Sequence, residues 1–290
     1  MPFLLDRRRF LKGSVAAASL WGAGLGLRAE SGNARVALLA DTHIAADPED
    51  TFRGFFPHRN LRIVCDSVKS TKFDLLVVNG DLARRTGEVG DYTTFRGFID
   101  PLAEQIPTVV MLGNHDERKN ARSALTNRAG EIQPVEQKLV TTIDAGPLRF
   151  AMLDSLLVTN ISPGQVGKKQ REWLSTYLDG AGQKPTIVFV HHNPDAESDG
   201  ALVDADRLLA ILKPRRAVKA LIFGHTHVYA FDKIDGMHLV NLPAVGYNFA
   251  DGNPVGWVEA SFSGQGAKLQ LHAVAGEKKD DGRMTELIWR

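Results

Sequence analysis

The feature that most constrains this chain is a repeated punctuation: short apolar runs of strand length, rich in β-branched residues, give way abruptly to His, Asp or Asn. Val36 to Ala40, Leu75 to Val78, Thr108 to Leu112, Thr186 to Val190 and Val218 to Phe223 are such runs. They lead into Asp41-Thr42-His43, Gly80-Asp81, Gly113-Asn114-His115-Asp116, His191-His192 and Gly224-His225-Thr226-His227 respectively. Most of these runs, and a sixth from Leu148 to Leu153, are continuous rather than alternating, as strands covered on both faces are. Helical patterns lie between them, at Asn60 to Ser70, Lys168 to Leu178 and Ala205 to Leu212. Strands buried on both faces need other layers over them, so a layered α/β fold is expected. In open sheets of this kind, side chains from distant parts of the sequence converge at the carboxyl ends of the strands. Beyond Phe223, Met237 to Leu242, Val255 to Ser263 and Lys268 to Val274 read as strands joined by Gly-rich or Asp-Gly turns, expected to complete a second sheet in antiparallel fashion.

Composition narrows the chemistry. Lys plus Arg number 35 against 34 Asp plus Glu, a net charge of +1, so no overall field draws nucleic acid or an anionic membrane, and no nucleic-acid partner is implied. Attraction for phosphate must be local. The single cysteine, Cys65, leaves no intramolecular disulfide and no thiolate-built metal site, so any metal must be held by imidazole and oxygen. Residues 1–34 read as a signal and polar linker, and residues 35–290 as one domain. Arg7-Arg8-Arg9-Phe10-Leu11-Lys12 precedes an uncharged run from Gly13 to Leu27, the layout of a secretory signal and too short to span a bilayer comfortably. This segment resembles a twin-arginine translocation signal with Arg7 and Arg8 as the pair. That resemblance implies the twin-arginine export machinery as a partner, and a periplasmic or secreted location for a chain folded, and loaded with metal, before export.

Mixed imidazole and carboxylate sets suit first-row divalent ions such as manganese, iron and zinc, whereas calcium or magnesium favours an all-oxygen shell. Residues two apart on an extended segment point the same way, so Asp41 with His43, and His225 with His227, can each bring two groups to one place. Asp81 is the candidate to bridge two ions. Glycines at Gly80, Gly113 and Gly224 permit tight turns and close backbone approach just before each ligand.

In order and spacing, the series Asp-x-His, Gly-Asp, Gly-Asn-His-Asp, His and Gly-His-x-His resembles the calcineurin-like metallophosphoesterase family over roughly Val36 to Val245. The resemblance implies a two-sheet β-sandwich flanked by helices, a four-layer α/β/β/α arrangement. It also implies two divalent metal ions, a metal-bridging hydroxide as nucleophile, and hydrolysis of a small phosphodiester or phosphomonoester. The first ion would be held by Asp41, His43, Asp81 and His227, and the second by Asp81, Asn114, His191 and His225. His115 would assist the leaving group, with Asp116 orienting it. Of the adjacent pair, His191 is taken as the ligand, because successive residues leaving a strand face opposite ways; His192 lines the substrate pocket or is structural.

Gly113 to Arg118 also resembles the Gly-Asn-His-Asp-x-Arg form of bacterial cyclic-nucleotide phosphodiesterases, making Arg118 a candidate substrate contact or a surface ion pair. Phosphomonoesters, nucleotides and lipid-derived diesters stay open for an exported enzyme. The loop from Asp47 to Arg59, with Phe52, Phe55 and Phe56, and the loop from Asn193 to Leu202 are expected to border the pocket or simply to pack. His58 and His272 read as surface residues, His238 as structural, and Cys65 as a small buried hydrophobe. Two other classes are weighed. A zinc amidohydrolase would carry its His-x-His on the first strand rather than late, and a non-catalytic metal or phosphate binder would not need His115.

Overall fold

The computed structural model describes residues 32–126, 128–195 and 198–290; the expected signal up to Ser31 lies outside them. In chain order the elements are β1 (Ala34–Leu39), α1 (Pro57–Lys69), β2 (Leu75–Val78), α2 (Val89–Ala103), β3 (Thr108–Val110), α3 (Arg118–Ala124), β4 (Glu131–Ile132), β5 (Thr141–Ala145) and β6 (Leu148–Met152). There follow α4 (Lys168–Gly180), β7 (Thr186–Phe189), α5 (Ala205–Leu212), β8 (Val218–Phe223), β9 (Ala230–Ile234), β10 (Met237–Asn241), β11 (Pro254–Phe262), β12 (Gly266–Gly276) and β13 (Met284–Ile288).

Two mixed sheets result, in the orders β13-β12-β11-β1-β2-β3 and β4-β5-β6-β7-β8-β10-β9. The period-2 geometry of a strand explains why their runs are continuously apolar. In β1, Val36 and Leu38 enter a core shared with Val77 of β2, Phe150 of β6, and Ile187 and Phe189 of β7, between the sheets. Ala37 and Leu39 point the other way, into a core with Leu61, Val64 and Val68 of α1 and Phe95 of α2. On the far side, Val188 and Leu221 pack with Leu174 of α4 and Leu208 of α5. Three apolar layers between four layers of structure give the expected α/β/β/α sandwich.

Two expectations need correction. The segment after Phe223 does not complete one sheet. β10 joins the second sheet parallel to β8, whereas β11 pairs antiparallel with β1 and carries β12 and β13 into the first sheet. The chain changes sheets between Asn241 and Pro254, where Val245 N donates to Ala40 O (2.9 Å) and Gly246 N to Asp41 O (2.9 Å). That crossing runs directly over the ends of the central strands. Helix α2 went unanticipated because Gly90, Thr93, Thr94, Gly97 and Pro101 hide its buried stripe of Tyr92, Phe95, Ile99 and Leu102.

Strands β1, β2 and β3 run parallel, as do β6, β7 and β8. Every punctuated run therefore ends at the rim where the two sheets meet the crossing segment.

Candidate metal centre

The loops leaving the strands are held together by backbone contacts before any side chain is considered. Asp41 N donates to Gly80 O (3.1 Å) and His43 N to Asp81 O (2.9 Å), so the exits of β1 and β2 lie side by side. Asp41 (φ 53°), His43 (48°), Asp81 (47°), His225 (70°) and His227 (57°) all adopt left-handed backbone. The convergence of Asp41 with His43, and of His225 with His227, thus comes from left-handed turns and not from the extended segments expected. Such conformations cost on the order of 1–3 kcal/mol each in non-glycine residues and persist where surrounding structure over-determines them, a hallmark of functional sites.

The three glycines are required by proximity. A Cβ on Gly80 would stand 2.4 Å from His191 Nδ1, on Gly113 2.1 Å from Asp81 Oδ1, and on Gly224 2.5 Å from Asp41 Oδ2. Each glycine abuts a candidate ligand contributed by another strand.

Three groups of side chains have ligand atoms within 4.8 Å of one another: Asp41, His43 and His227; His43, Asp81 and His115; and Asp81, His191 and His225. Asp81 stands between two of them, its Oδ2 3.7 Å from His43 Nε2 and 3.4 Å from His191 Nε2. Asp41 Oδ1 lies 3.4 Å from His227 Nε2, and the Nε2 atoms of His43 and His227 face each other at 3.2 Å. The rings are aimed from behind. Nδ1 of His191 donates to Asn79 O (2.8 Å), that of His227 to Tyr247 O (2.6 Å) and that of His115 to Arg85 O (2.9 Å), which leaves each Nε2 free for other work.

Electrostatics fit a cation. Burial lowers His43 to about 3 and His225 to about 4, with the positive charge of His191 adding to the latter, so both rings are neutral. Burial opposes ionisation of Asp41 and Asp81, yet the charge of His191 prevails and holds both below the usual carboxylate range. His191 itself is pulled down by burial but lifted to about 10 by Asp81 and Asp41. In the metal-free chain two buried carboxylates thus draw a proton onto one imidazole; a divalent ion would supply that charge instead. Asn114 Oδ1 is buried without a hydrogen-bond partner, and His191 Nε2 faces only the carboxylates of Asp81 (3.4 Å) and Asp41 (3.8 Å), as ligand atoms kept for a metal would be.

His43, Asp81, Asn114, His115, His225 and His227 floor a cavity of about 370 Å³, walled by Ser162, Ser198, Asp199, Thr226 and Phe249. Of the loop from Asn193 to Leu202, expected to border the pocket or to pack, Ser198, Asp199 and Gly200 line it. Phe52 instead packs on Tyr247, 4.7 Å between ring centroids, under the guanidinium of Arg84, and Phe249 supplies the aromatic wall. Phe249 stacks on His227 at 4.4 Å. Tyr247 and Phe249 escaped sequence reasoning because neither is a ligand type; their one signal is an aromatic pair immediately after the apolar segment that crosses between sheets.

The orienting role expected of Asp116 meets a different geometry, and of the two roles open to each of Arg118 and His192 the structure shows an ion pair for the first and a buried, structural position for the second. Asp116 does not touch the His115 ring. Its carboxylate accepts from the backbone amides of Leu82 (3.2 Å), Ala83 (3.1 Å) and Gly113 (2.9 Å) and from Tyr92 Oη (3.1 Å), so it fixes the loop that carries His115. Arg118 is not among the residues lining the cavity; it forms a fork with buried Asp154 (3.0 Å to each oxygen) and donates to Leu156 O (2.7 Å). His192 is likewise absent from the lining, fully buried beside His225 with its Nδ1 2.7 Å from Ser155 Oγ. His58, expected at the surface, is buried with Nε2 2.8 Å from Ala45 O, and His272 is half-buried, stacked flat on Trp257 at 4.4 Å. Cys65 is buried, its thiol pushed up to about 12.

The chain is similar to known phosphoesterases. A 3′,5′-cyclic adenosine monophosphate phosphodiesterase of Pseudomonas aeruginosa is 29% identical over 260 residues, covering 87% of this chain and 88% of that protein. A glycerophosphodiester phosphodiesterase of Enterobacter lignolyticus is 28% identical over 176 residues, covering 59% of this chain and 62% of that protein. Among solved structures, a dimetal phosphatase from Danio rerio superposes with a TM-score of 0.69 at 14% identity, covering 88% of this chain and 99% of that one; it shares the fold. The family model for calcineurin-like phosphoesterases matches residues 34–229, and the chain belongs to that family of phosphoric ester hydrolases.

Proposed function

We propose that this chain hydrolyses a small phosphodiester at a centre of two divalent ions, drawn from manganese, iron and zinc. The observation that carries the reading is the position of Asp81 between the two groups of buried ligands. Asp41, His43 and His227 with Asp81 would hold one ion; Asn114, His191 and His225 with Asp81 would hold the other. Bound there, the ions would polarise the phosphoryl oxygens and supply the activated water. His115 lines the cavity with Nδ1 tied to Arg85 O, which leaves Nε2 to pass a proton to the leaving oxygen or to stabilise its charge. The relatives named for cyclic nucleotide and glycerophosphodiester hydrolysis support a diester.

His115→Ala is expected to lower turnover by about 10²–10⁴-fold with metal content unchanged. The experiment is a panel of phosphomonoester, phosphodiester and cyclic-nucleotide substrates, run on protein of measured manganese, iron and zinc content. Unchanged turnover in the variant would remove His115 from its role; no turnover of any ester by the metal-loaded parent would favour a non-catalytic metal or phosphate binder.

The export reading rests on Arg7 and Arg8, outside the described residues. Replacing both by Lys is expected to retain the protein in the cytoplasm, checked by fractionation; continued export would refute the twin-arginine assignment.

A further inference from the structure

Resting on the phosphodiesterase reading, we infer that the substrate is amphiphilic: a phosphodiester with one long aliphatic arm, received by an apolar collar around the cavity mouth. Among the described residues twelve large hydrophobics are exposed; of these Phe249 lines the cavity, and Leu157, Val158 and Ile161 lie on the loop that enters the cavity wall at Ser162. Single exposed aliphatics are ordinary; a concentration round a reaction pocket is not.

The collar's main segment is built, not slack. Leu157 (40% exposed), Val158 (54%) and Ile161 (49%) fall within five residues, directly before Ser162 in the cavity wall. At the tip, Asn160 N donates to Asn114 O (2.6 Å) and Thr159 Oγ1 to Asp116 O (2.9 Å), so the loop hangs from the residues on either side of His115. At the base, buried Asp154 accepts from Leu156 N (3.0 Å) and from the Arg118 fork, while Arg118 (2.7 Å) and Lys138 (2.9 Å) both donate to Leu156 O. Lys138 also donates to Gln165 O (2.9 Å), tying the two stems of the loop together. Arg118, a candidate for substrate contact or an ion pair, thus pairs with Asp154 and braces the segment that holds three aliphatic side chains out in water. Across the mouth, Phe249 is half exposed and its ring already lines the cavity.

A fixed loop presenting aliphatics to solvent gains only when they are covered. An aliphatic arm leaving the phosphoryl group would cover them, and the binding energy of that remote arm would be available to position the diester.

The test compares methyl p-nitrophenyl phosphate with hexadecyl p-nitrophenyl phosphate, which release the same chromophore, on the metal-loaded full chain. The wild type is expected to favour the hexadecyl ester at least tenfold in kcat/KM. The triple variant Leu157→Ser, Val158→Ser, Ile161→Ser should lose most of that preference while its rate on the methyl ester stays within twofold, which also reports that it is folded and loaded. Equal rates on the two esters in the wild type, or an undiminished preference in the triple variant, would overturn the collar and leave the phosphodiesterase reading standing. If the metal-loaded wild type hydrolyses neither ester, that reading fails and the collar falls with it.

Discussion

Replacing Asp81 by Ala is expected to strip the centre of metal and lower turnover by more than about 10³-fold, equivalent to about 4 kcal/mol of transition-state stabilisation. The expectation is larger than for any other single ligand because Asp81 does several things at once. Its Oδ2 stands within 4 Å of both His43 Nε2 and His191 Nε2, and its Oδ1 accepts the backbone amide of His115 at 2.8 Å. Its negative charge is also the largest influence raising the His191 imidazole against burial. Alanine therefore removes the shared ligand, unpairs the amide that fixes the proton donor, and leaves Asp41 as the one carboxylate facing a cluster of imidazoles. The check is metal content by mass spectrometry together with diester turnover. Full metal content with a near-normal rate would sink the bridging role. Asp81→Asn, which keeps the shape and loses the charge, should fall between the parent and the alanine variant.

The parts of this site legible in the sequence are those that depend on residue type and strand position. Buried parallel strands must be apolar on both faces, so Val36 to Ala40 and Val218 to Phe223 announce themselves, and whatever polar groups follow them must gather at one rim. The glycines were legible for a related reason: only hydrogen can occupy the space between neighbouring ligand loops, as the short Cβ approaches at Gly80, Gly113 and Gly224 make plain. What sequence could not carry was the local backbone. Nothing in Asp-Thr-His specifies left-handed φ at Asp41 and His43; that conformation is imposed by the Gly80-Asp81 strip beside it. Nor could partner choice be read. Arg118 has five donors and meets whichever acceptor the fold supplies, which is Asp154, a residue no motif marks. The division of the last strands between two sheets was equally hidden, because antiparallel hairpins have the same alternation whichever sheet receives them.

Asp116→Ala is expected to produce the largest loss of stability among the site residues, on the order of 4 kcal/mol, against the 5–15 kcal/mol typical of a whole domain. The carboxylate is fully buried and accepts four hydrogen bonds, from the amides of Leu82, Ala83 and Gly113 and from Tyr92 Oη. Alanine orphans the three backbone amides at a place where two strand exits meet, leaving Tyr92 Oη only Glu117 O at 3.5 Å, and each unsatisfied buried group costs about 1–3 kcal/mol, partly relieved if water enters. Asparagine is a poor rescue because its amide NH₂ must face one of the same N–H groups. The pH dependence separates this role from the orienting one first expected. In the metal-free chain burial, reinforced by the charge of Asp81, raises the Asp116 carboxyl to about 6 from an ordinary 3.8. A carboxyl raised on folding holds its proton more tightly in the native state, so its stabilising contribution is complete below its ordinary value and is lost as pH rises through about 6. Thermal unfolding of the metal-free parent should accordingly show a component of stability declining between about pH 4 and 6, absent from both Asp116 variants. A side chain that merely oriented the His115 ring would leave unfolding untouched and change only the rate; a melting temperature for Asp116→Ala within a degree or two of the parent would return Asp116 to that role.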